Sequence, residues 1–324
     1  MTSPRVLVTR RLPEGGLDPL INAGFEIVGP RDDDTPYSSE ELLGLAESVD
    51  AIVCLLTDLI DYEILSVGAA HSLRVIANVA VGYDNIDWRS AHRLGIEVSN
   101  TPGVLDETTA DAAVLLMLAA SRLTFAAESD LRAGDWPGWG ITQYLGVDIH
   151  GATLGIIGFG RIGRAVARRA QGFGMRVLHH SRRETGEPGY MDDLDELCRV
   201  ADIISIHTPG GPDTVHLIDG RRLALMKTTA VLVNTARGSV VDEAALAEAL
   251  HAGSIFAAGL DVFEREPEVH PRLLTAPRTV LLPHIGSASQ ATRRNMALSA
   301  TNAVAQYLQG GRPANLIARE PNSD

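Results

Sequence analysis

Short apolar runs alternate with amphipathic stretches along almost the whole chain. In the N-terminal part, "RVLVTR" (5–10), "FEIVG" (25–29), "AIVCLL" (51–56), "RVIANVA" (74–80) and "IEVSN" (96–100) are rich in Val and Ile and have the length of strands. Between them, "SSEELLGLAESV" and "WRSAHRLG" carry helical spacing. Continuous apolar strands separated by helices predict a parallel sheet covered on both faces. A second series begins at Ala152, with "TLGIIG", "RVLHHS", "ADIISIHT", "AVLVNTA", "AAGLDVF" and "TVLLPHI" as strands. Among its helices, "EAALAEALHAG" (243–253) ends in a glycine suited to C-capping. Between the two series, "DETTADAAVLLMLAASRLTFAAESDL" (106–131) predicts one long helix. Its middle is apolar nearly all round, which implies burial against another domain or a second subunit. The stretch "RAGDWPGWGITQYLGVDIHG" reads as a loop, and "SQATRRNMALSATNAVAQYLQGG" as a final amphipathic helix.

A chain of 324 residues is long enough for two cores, so the two series predict two α/β domains, each with its own parallel sheet. Hydrophobic residues are 45% and charged residues 21%, the balance of an ordinary globular protein. Asp and Glu number 41 against 28 Lys and Arg, a net charge of −13 that repels nucleic-acid backbones. A local positive field in a cleft still allows a small anionic substrate. Cys54 and Cys198 lie in or beside apolar runs and read as buried thiols in a reduced compartment. The apolar run in "MTSPRVLVTRR" is too short for a signal peptide, and "AAVLLMLAA" falls short of the roughly 18 residues that cross a bilayer. The expectation is a cytoplasmic protein with no membrane and no nucleic-acid partner. No C-x-x-C or H-E-x-x-H spacing occurs, so no metal site is expected, and "RDDDT" (31–35) reads as a solvated turn.

Gly158, Gly160 and Gly163 form G-x-G-x-x-G after the strand "TLGIIG" and at the start of the helix "RIGRAVARRAQ". In that context the first glycine permits the tight turn and the second lets amides approach a pyrophosphate. The third packs helix on strand, and the helix N-terminus favours the anion. The pattern predicts dinucleotide binding. The next strand usually ends in an acid that grips the ribose 2′-hydroxyl; here it ends in Ser181, Arg182 and Arg183. A hydroxyl and two guanidiniums suit a 2′-phosphate, so NADPH is favoured, with NAD possible. His179 and His180 lie on the same strand, one of them read as core.

Three polar residues follow late strands: Arg237 after "AVLVNTA", Glu266 after "AAGLDVF" and His284 at the end of "TVLLPHI". In open α/β sheets the ligand crevice lies at the strands' carboxyl ends. Reduction of a 2-oxo acid needs a cation for the carboxylate, a proton donor for the carbonyl oxygen, and a carboxylate that keeps the donor charged. Arg, His and Glu supply these. In "FEREPE", Glu264 and Glu268 are alternatives to Glu266. "ARGSVVDE" is not a G-x-S-x-G nucleophile elbow.

With these motifs in place, the chain resembles the D-isomer-specific 2-hydroxyacid dehydrogenases, and within them the glyoxylate/hydroxypyruvate reductase branch. The likeness rests on "NVAVGYDNIDW", "NTPGVLDETTADAAVLLMLAASR", "GATLGIIGFGRIG", "NTARGSVVDEAAL", "AGLDVFEREP" and "LLPHIGSA", in that order. "CLLTDLID", Trp136 with Trp139, and "SRR" point to the branch. The resemblance implies two Rossmann-like or flavodoxin-like parallel-sheet domains with a cleft between them. Residues 1–100 with 289–324 would form a discontinuous substrate-binding domain, and 101–288 the NAD(P)-binding domain.

It implies Arg237, Glu266 and His284 as catalytic residues. Leu55, Val79, Ala80, Val81 and Gly82 would face the substrate, with Trp139 or Trp136 reaching a partner subunit's site. Cofactor contacts would be Gly158, Phe159, Gly160, Arg161, Ile162, Gly163, Ser181, Arg182, Arg183, Thr208, Pro209, Thr235, Ala236, Asp261, His284 and Gly286. A homodimer through 106–146 and a small 2-oxo acid substrate are implied as well. The chain's length implies a form without a regulatory domain. Gly210 and Gly211 replace the family's usual Leu-Thr pair, which predicts a more flexible loop near the nicotinamide end. The rival readings are a 2-hydroxyacid or phosphite dehydrogenase using NAD, and a nucleotide-sensing corepressor of the same fold.

Overall fold

Local capping chemistry starts many of the helices. Ser38 accepts from the Glu41 amide while the Glu41 carboxylate accepts from the Ser38 amide, opening the helix Ser39–Ala46. Asp61, Asp87, Asp193, Asp219, Asp242 and Ser289 cap later helices in the same manner, each satisfying an amide that the first turn leaves without an intrahelical partner. The predicted C-cap at Gly253 sits at φ +69, a conformation that glycine adopts without a Cβ penalty.

The structure, a computed structural model, describes residues 3–319. It comprises two compact units. One runs up to Leu105 and resumes at Ala288; the other is Asp106–Ser287. The boundaries read from the sequence were 100/101 and 288/289.

The first unit holds β1 (Arg5–Val8), β2 (Glu26–Val28), β3 (Ala51–Cys54), β4 (Val75–Asn78) and β5 (Glu97–Ser99). They form an all-parallel sheet in the order β2-β1-β3-β4-β5. On one face Leu7, Ile52, Ile76 and Val98 pack with Leu42, Ile64, Leu65 and Ala91 from three helices. The helix Gln290–Leu308, far away in sequence, packs on β3, β4 and the helix Asp18–Asn22. That contact brings the end of the chain back into the first unit.

The second unit holds β6 (Thr153–Ile157), β7 (Arg176–His180), β8 (Ile203–Ile206), β9 (Val231–Asn234), β10 (Ala257–Leu260) and β11 (Thr279–Leu281). Their order is β11-β10-β9-β8-β6-β7, again all parallel. Successive residues alternate between two cores. Ile156, Val231 and Val233 pack with Ala113, Leu116 and Val166 on one side, and Ile157, Ile204 and Leu232 with Leu197, Leu246 and Leu250 on the other. The chain goes from β6 to β7 on one side and returns to β8 on the other. This reversal opens a crevice beyond the carboxyl ends of β6 and β8, where doubly wound sheets bind ligands.

The expected single helix over 106–131 is two, Asp106–Ser121 and Thr124–Ala133, bent by 67°. Leu123 between them is left-handed at φ +52. The cause lies further along the chain, where the Val147 amide donates to the Ser121 carbonyl at 2.9 Å and takes the place of a helical donor. Gly146 lies so close that a Cβ there would be 2.1 Å from the Ser121 oxygen. The first helix is buried against its own unit's β9, β10 and β11 and the helix Arg161–Gln171, while Leu115 stays 54% exposed. No single helix among the described residues is long and apolar enough to cross a membrane.

Gly146→Ala is expected to force the Gly146–Val147 loop off the Ser121 carbonyl and to destabilise the chain by about 1–3 kcal/mol. A urea titration reads the loss, and an unchanged midpoint would mean that the break does not depend on this contact.

Candidate active site

The last strands of the second unit hand the chain to loops that carry Arg237, Glu266 and His284, and buried polar side chains hold these loops. Asn234, 1% exposed at the end of β9, accepts from the Ala236 amide at 3.0 Å and donates to the Arg237 carbonyl at 2.9 Å. Asp261, 1% exposed just after β10, accepts from the Ile285 and Gly286 amides, both at 2.7 Å. Those amides follow His284, whose φ of +55 is strained for a residue with a side chain. Burial pushes the Asp261 carboxyl up, against the opposing pull of these two amides and the His284 charge.

Glu266 and His284 meet, with Nδ1 2.7 Å from Oε2. Burial raises the Glu266 pKa, but the hydrogen bond and charge of His284, the Phe263 amide and the Arg237 charge outweigh it and leave the carboxyl below its ordinary value. An ionised carboxylate only accepts, so the proton of this hydrogen bond sits on Nδ1. Glu264 turns away, accepting from the Glu243 amide at 2.8 Å and lying 3.2 Å from His216 Nε2. Glu268 pairs backbone with Arg265, and the carboxylate that meets His284 is that of Glu266. The Arg237 and Glu266 loops touch directly: a Cβ on Gly238 would be 1.8 Å from the Phe263 carbonyl carbon.

In the first unit, Leu55 and Val79–Gly82 form one hydrogen-bonded assembly. Asn78 donates to the Gly82 carbonyl at 2.8 Å and to Asn85 Oδ1 at 2.9 Å, and Asn85 donates to the Leu55 carbonyl at 3.0 Å. Asp58, 3% exposed, accepts from the Leu55 amide at 2.8 Å and the Thr9 hydroxyl at 2.5 Å. Asn100 donates to the Val81 carbonyl at 2.7 Å, and Val79 and Ala80 are buried.

A model of the D-isomer specific 2-hydroxyacid dehydrogenase NAD-binding domain matches residues 114–286. Over 327 residues the chain is 45% identical to the glyoxylate reductase of Thermococcus onnurineus, covering 98% of this chain and 96% of that one. The chain belongs to this dehydrogenase family. Its fold matches a protein of Thermus thermophilus with a TM-score of 0.90 at 42% identity, over 97% of this chain and all of that one. It also matches an NADPH-dependent glyoxylate/hydroxypyruvate reductase from Sinorhizobium meliloti, solved with NADP and malonate, with a TM-score of 0.86 at 34% identity and 99% of both chains covered. As a member, the dehydrogenase is an oxidoreductase that uses a nicotinamide cofactor.

The residues of the dehydrogenase's second unit fit such a cofactor. Gly158, at φ +95, leaves no room for a Cβ, which would sit 2.6 Å from the His207 carbonyl group, so the turns after β6 and β8 are in contact. Gly163 likewise packs against the Gly158 carbonyl. Gly160 has open space where a side chain would be, and as N-cap it puts no side chain across the amides of Arg161, Ile162 and Gly163. The Thr208 and Thr235 hydroxyls are buried with no hydrogen-bond partner among the described residues, as groups awaiting a polar ligand would be. Burial pushes His207 down to about 3, so it is a neutral ring bonded to the Ser205 hydroxyl at 2.8 Å. Phe159 stacks on the buried His179 at 3.7 Å, and Arg161 pairs with Asp106.

Other expected contacts stand differently. The Ser181 hydroxyl donates to the Arg183 carbonyl at 2.7 Å, so its proton is engaged within the loop. Arg182 and Arg183 are exposed, with no ion-pair partner among the described residues, while Glu187 pairs with Arg164. At Gly210 and Gly211 the Thr214 hydroxyl lies 2.9 Å from the Pro209 carbonyl and 3.1 Å from the Gly211 carbonyl, so its one proton is shared within the loop. Trp139 is 80% exposed and Trp136 47%. Asn234, Asn78, Asn85 and Glu243 were not anticipated; a polar residue closing an apolar strand was the signal for the first two.

The lowered pKa of Glu266 implies stabilisation that is fully present above its unfolded value, near 4.5, and lost as pH falls through the lower folded value. Urea unfolding between about pH 3 and 6 reads this. Glu266→Gln is expected to lose that part of the acid dependence; an identical pH profile in both proteins would contradict it.

Proposed function

We propose that this dehydrogenase reduces glyoxylate and hydroxypyruvate to glycolate and D-glycerate and prefers NADPH. The observation that carries the reading is the Glu266–His284 pair, 2.7 Å apart, on loops beside Arg237. The glyoxylate reductases that the chain resembles over nearly its full length support the substrate class.

In this reading the Arg237 guanidinium grips the substrate carboxylate, leaving the adjacent carbonyl to be reduced. When bound, the nicotinamide supplies the hydride that goes to the carbonyl carbon. His284 holds a proton at Nε2 and gives it to the carbonyl oxygen, which becomes the hydroxyl. Glu266, accepting at Nδ1, favours the charged imidazolium before transfer and fixes the ring's orientation. Leu55 and Val79–Gly82 are the proposed substrate contacts of the first unit, Leu55 limiting side-chain size, and the amide network around them supports such a role. The unpaired guanidiniums of Arg182 and Arg183 support a 2′-phosphate site.

The proposal includes a homodimer through 106–146. Leu115, Phe125, Leu131, Trp139, Ile141 and Leu145 are all more than half exposed, an apolar patch of the kind that marks an interface. A groove between the two helices is lined by Leu115, Leu118, Ala119 and Leu131 together with Arg122 and Glu128, the latter paired with Arg132. A reduced, cytoplasmic setting is part of the same reading, supported by two unpaired cysteines whose thiols burial pushes up, Cys198 to about 11.

Initial rates with NADPH and NADH against both acids test the assignment. NADPH is expected to lead by about tenfold or more in kcat/KM, or 1.4 kcal/mol. An NADH lead would make Arg182 and Arg183 bystanders. His284→Ala is expected to lower turnover by about two to four orders of magnitude, and near-normal turnover would remove it from the mechanism.

A further inference from the structure

Glu243 opens the helix Glu243–Ala252, where an acidic residue usually lies in solvent and favours the helix dipole. Here it is only 5% exposed, and both of its oxygens are used on one loop. Oε1 accepts from the Glu264 amide at 2.6 Å and Oε2 from the His270 amide at 3.2 Å. The segment between those amides carries Glu266. Glu264 returns the contact by accepting from the Glu243 amide at 2.8 Å, and His216 flanks Glu264 at 3.2 Å. A carboxylate that closes both ends of a loop sets where the loop's middle lies. In this loop the middle places Oε2 of Glu266 against His284.

We propose that Glu243 is a positioning residue for the reaction, holding the 264–270 loop so that the Glu266 carboxylate stays on His284 Nδ1. This rests on the roles given to Glu266 and His284 above. The charged and titratable groups around the assembly are Asp242, Glu264, His216 and His270 at the Glu243 end, and Arg237, Asp261 and His284 at the Glu266 end.

Glu243→Gln tests this, because an amide has one acceptor oxygen and can hold only one end of the loop. The full-length enzyme is assayed with NADPH and glyoxylate across pH, with its melting temperature recorded. Turnover is expected to fall by about tenfold to a hundredfold, the cost of a small misplacement, with cofactor Kd changed by less than about twofold. The alkaline limb of kcat is expected to move down by about half a pH unit or more as the His284 proton loses its carboxylate. Combined with Glu266→Gln, it is expected to add no further loss, since both act on one contact.

His270→Pro is the second variant. It deletes the backbone donor together with the imidazole, so His270→Ala, which keeps the amide, is its control, and the φ of −54 already suits proline. A smaller loss of turnover with the same direction of pH shift supports the proposal. Leu246→Ala, a buried core change in the same helix, is the control: it is expected to lower the melting temperature and leave the pH profile alone. A Glu243→Gln enzyme with an unchanged pH profile, or with a loss that multiplies that of Glu266→Gln, overturns the proposal. If Glu266→Gln alone leaves turnover and pH profile intact, the role given to Glu266 fails and this inference fails with it.

Discussion

A parallel sheet sends every strand out on the same side, and each departing loop begins with amides that have left the ladder. This chain satisfies them from within: Asn234, Asp261 and Glu243 are side chains with almost no exposure whose polar atoms are spent on loop backbone. A buried carboxylate is costly unless its oxygens are bonded, and a buried amide likewise. Each grip therefore solves two problems together, and neither partner can leave without stranding the other. The strained backbone of His284 is tolerated because Asp261 fixes the two residues that follow it.

The first unit uses the same logic with less charge. Asn78, Asn85 and Asn100 anchor carbonyls around Leu55 and Val81, and the buried acid Asp58 accepts from the Leu55 amide and the Thr9 hydroxyl. The second unit, by contrast, carries the charges of its candidate site on loops anchored by polar side chains at a strand end (Asn234), just beyond one (Asp261) and at a helix start (Glu243). The anchors and the charged groups of the candidate site are thus separate residues. A change at an anchor acts through geometry, whereas a change at Arg237, Glu266 or His284 acts on charge.

What was legible in the amino-acid sequence followed from local rules. The eleven strands among the described residues lie inside the apolar runs that predict them, shortened where a flanking residue such as Arg10 or Asn100 leaves the ladder. Arg237, Glu266 and His284 stand out in the sequence because each is a charged or titratable side chain following an apolar strand, and the structure brings Glu266 onto His284. The choice among Glu264, Glu266 and Glu268 was not, since a loop's turn decides which carboxylate points inward. The bend at Leu123 was hidden because its cause, Gly146 and Val147, lies well downstream of the helix it breaks. Glu243 looked like any acid in a first helical turn, and Ser181 gave no sign that its proton would be taken by Arg183.

The close approach of Gly238 to Phe263 has a bearing on how this scaffold diversifies. With backbone pressed on backbone, neither loop can accept a longer or bulkier version while the other stays as it is. Grafting one of them from a relative brings a steric mismatch unless its neighbour is transplanted too. The loops that carry the guanidinium and the carboxylate are thus a single steric unit, to be exchanged together in any redesign of this scaffold.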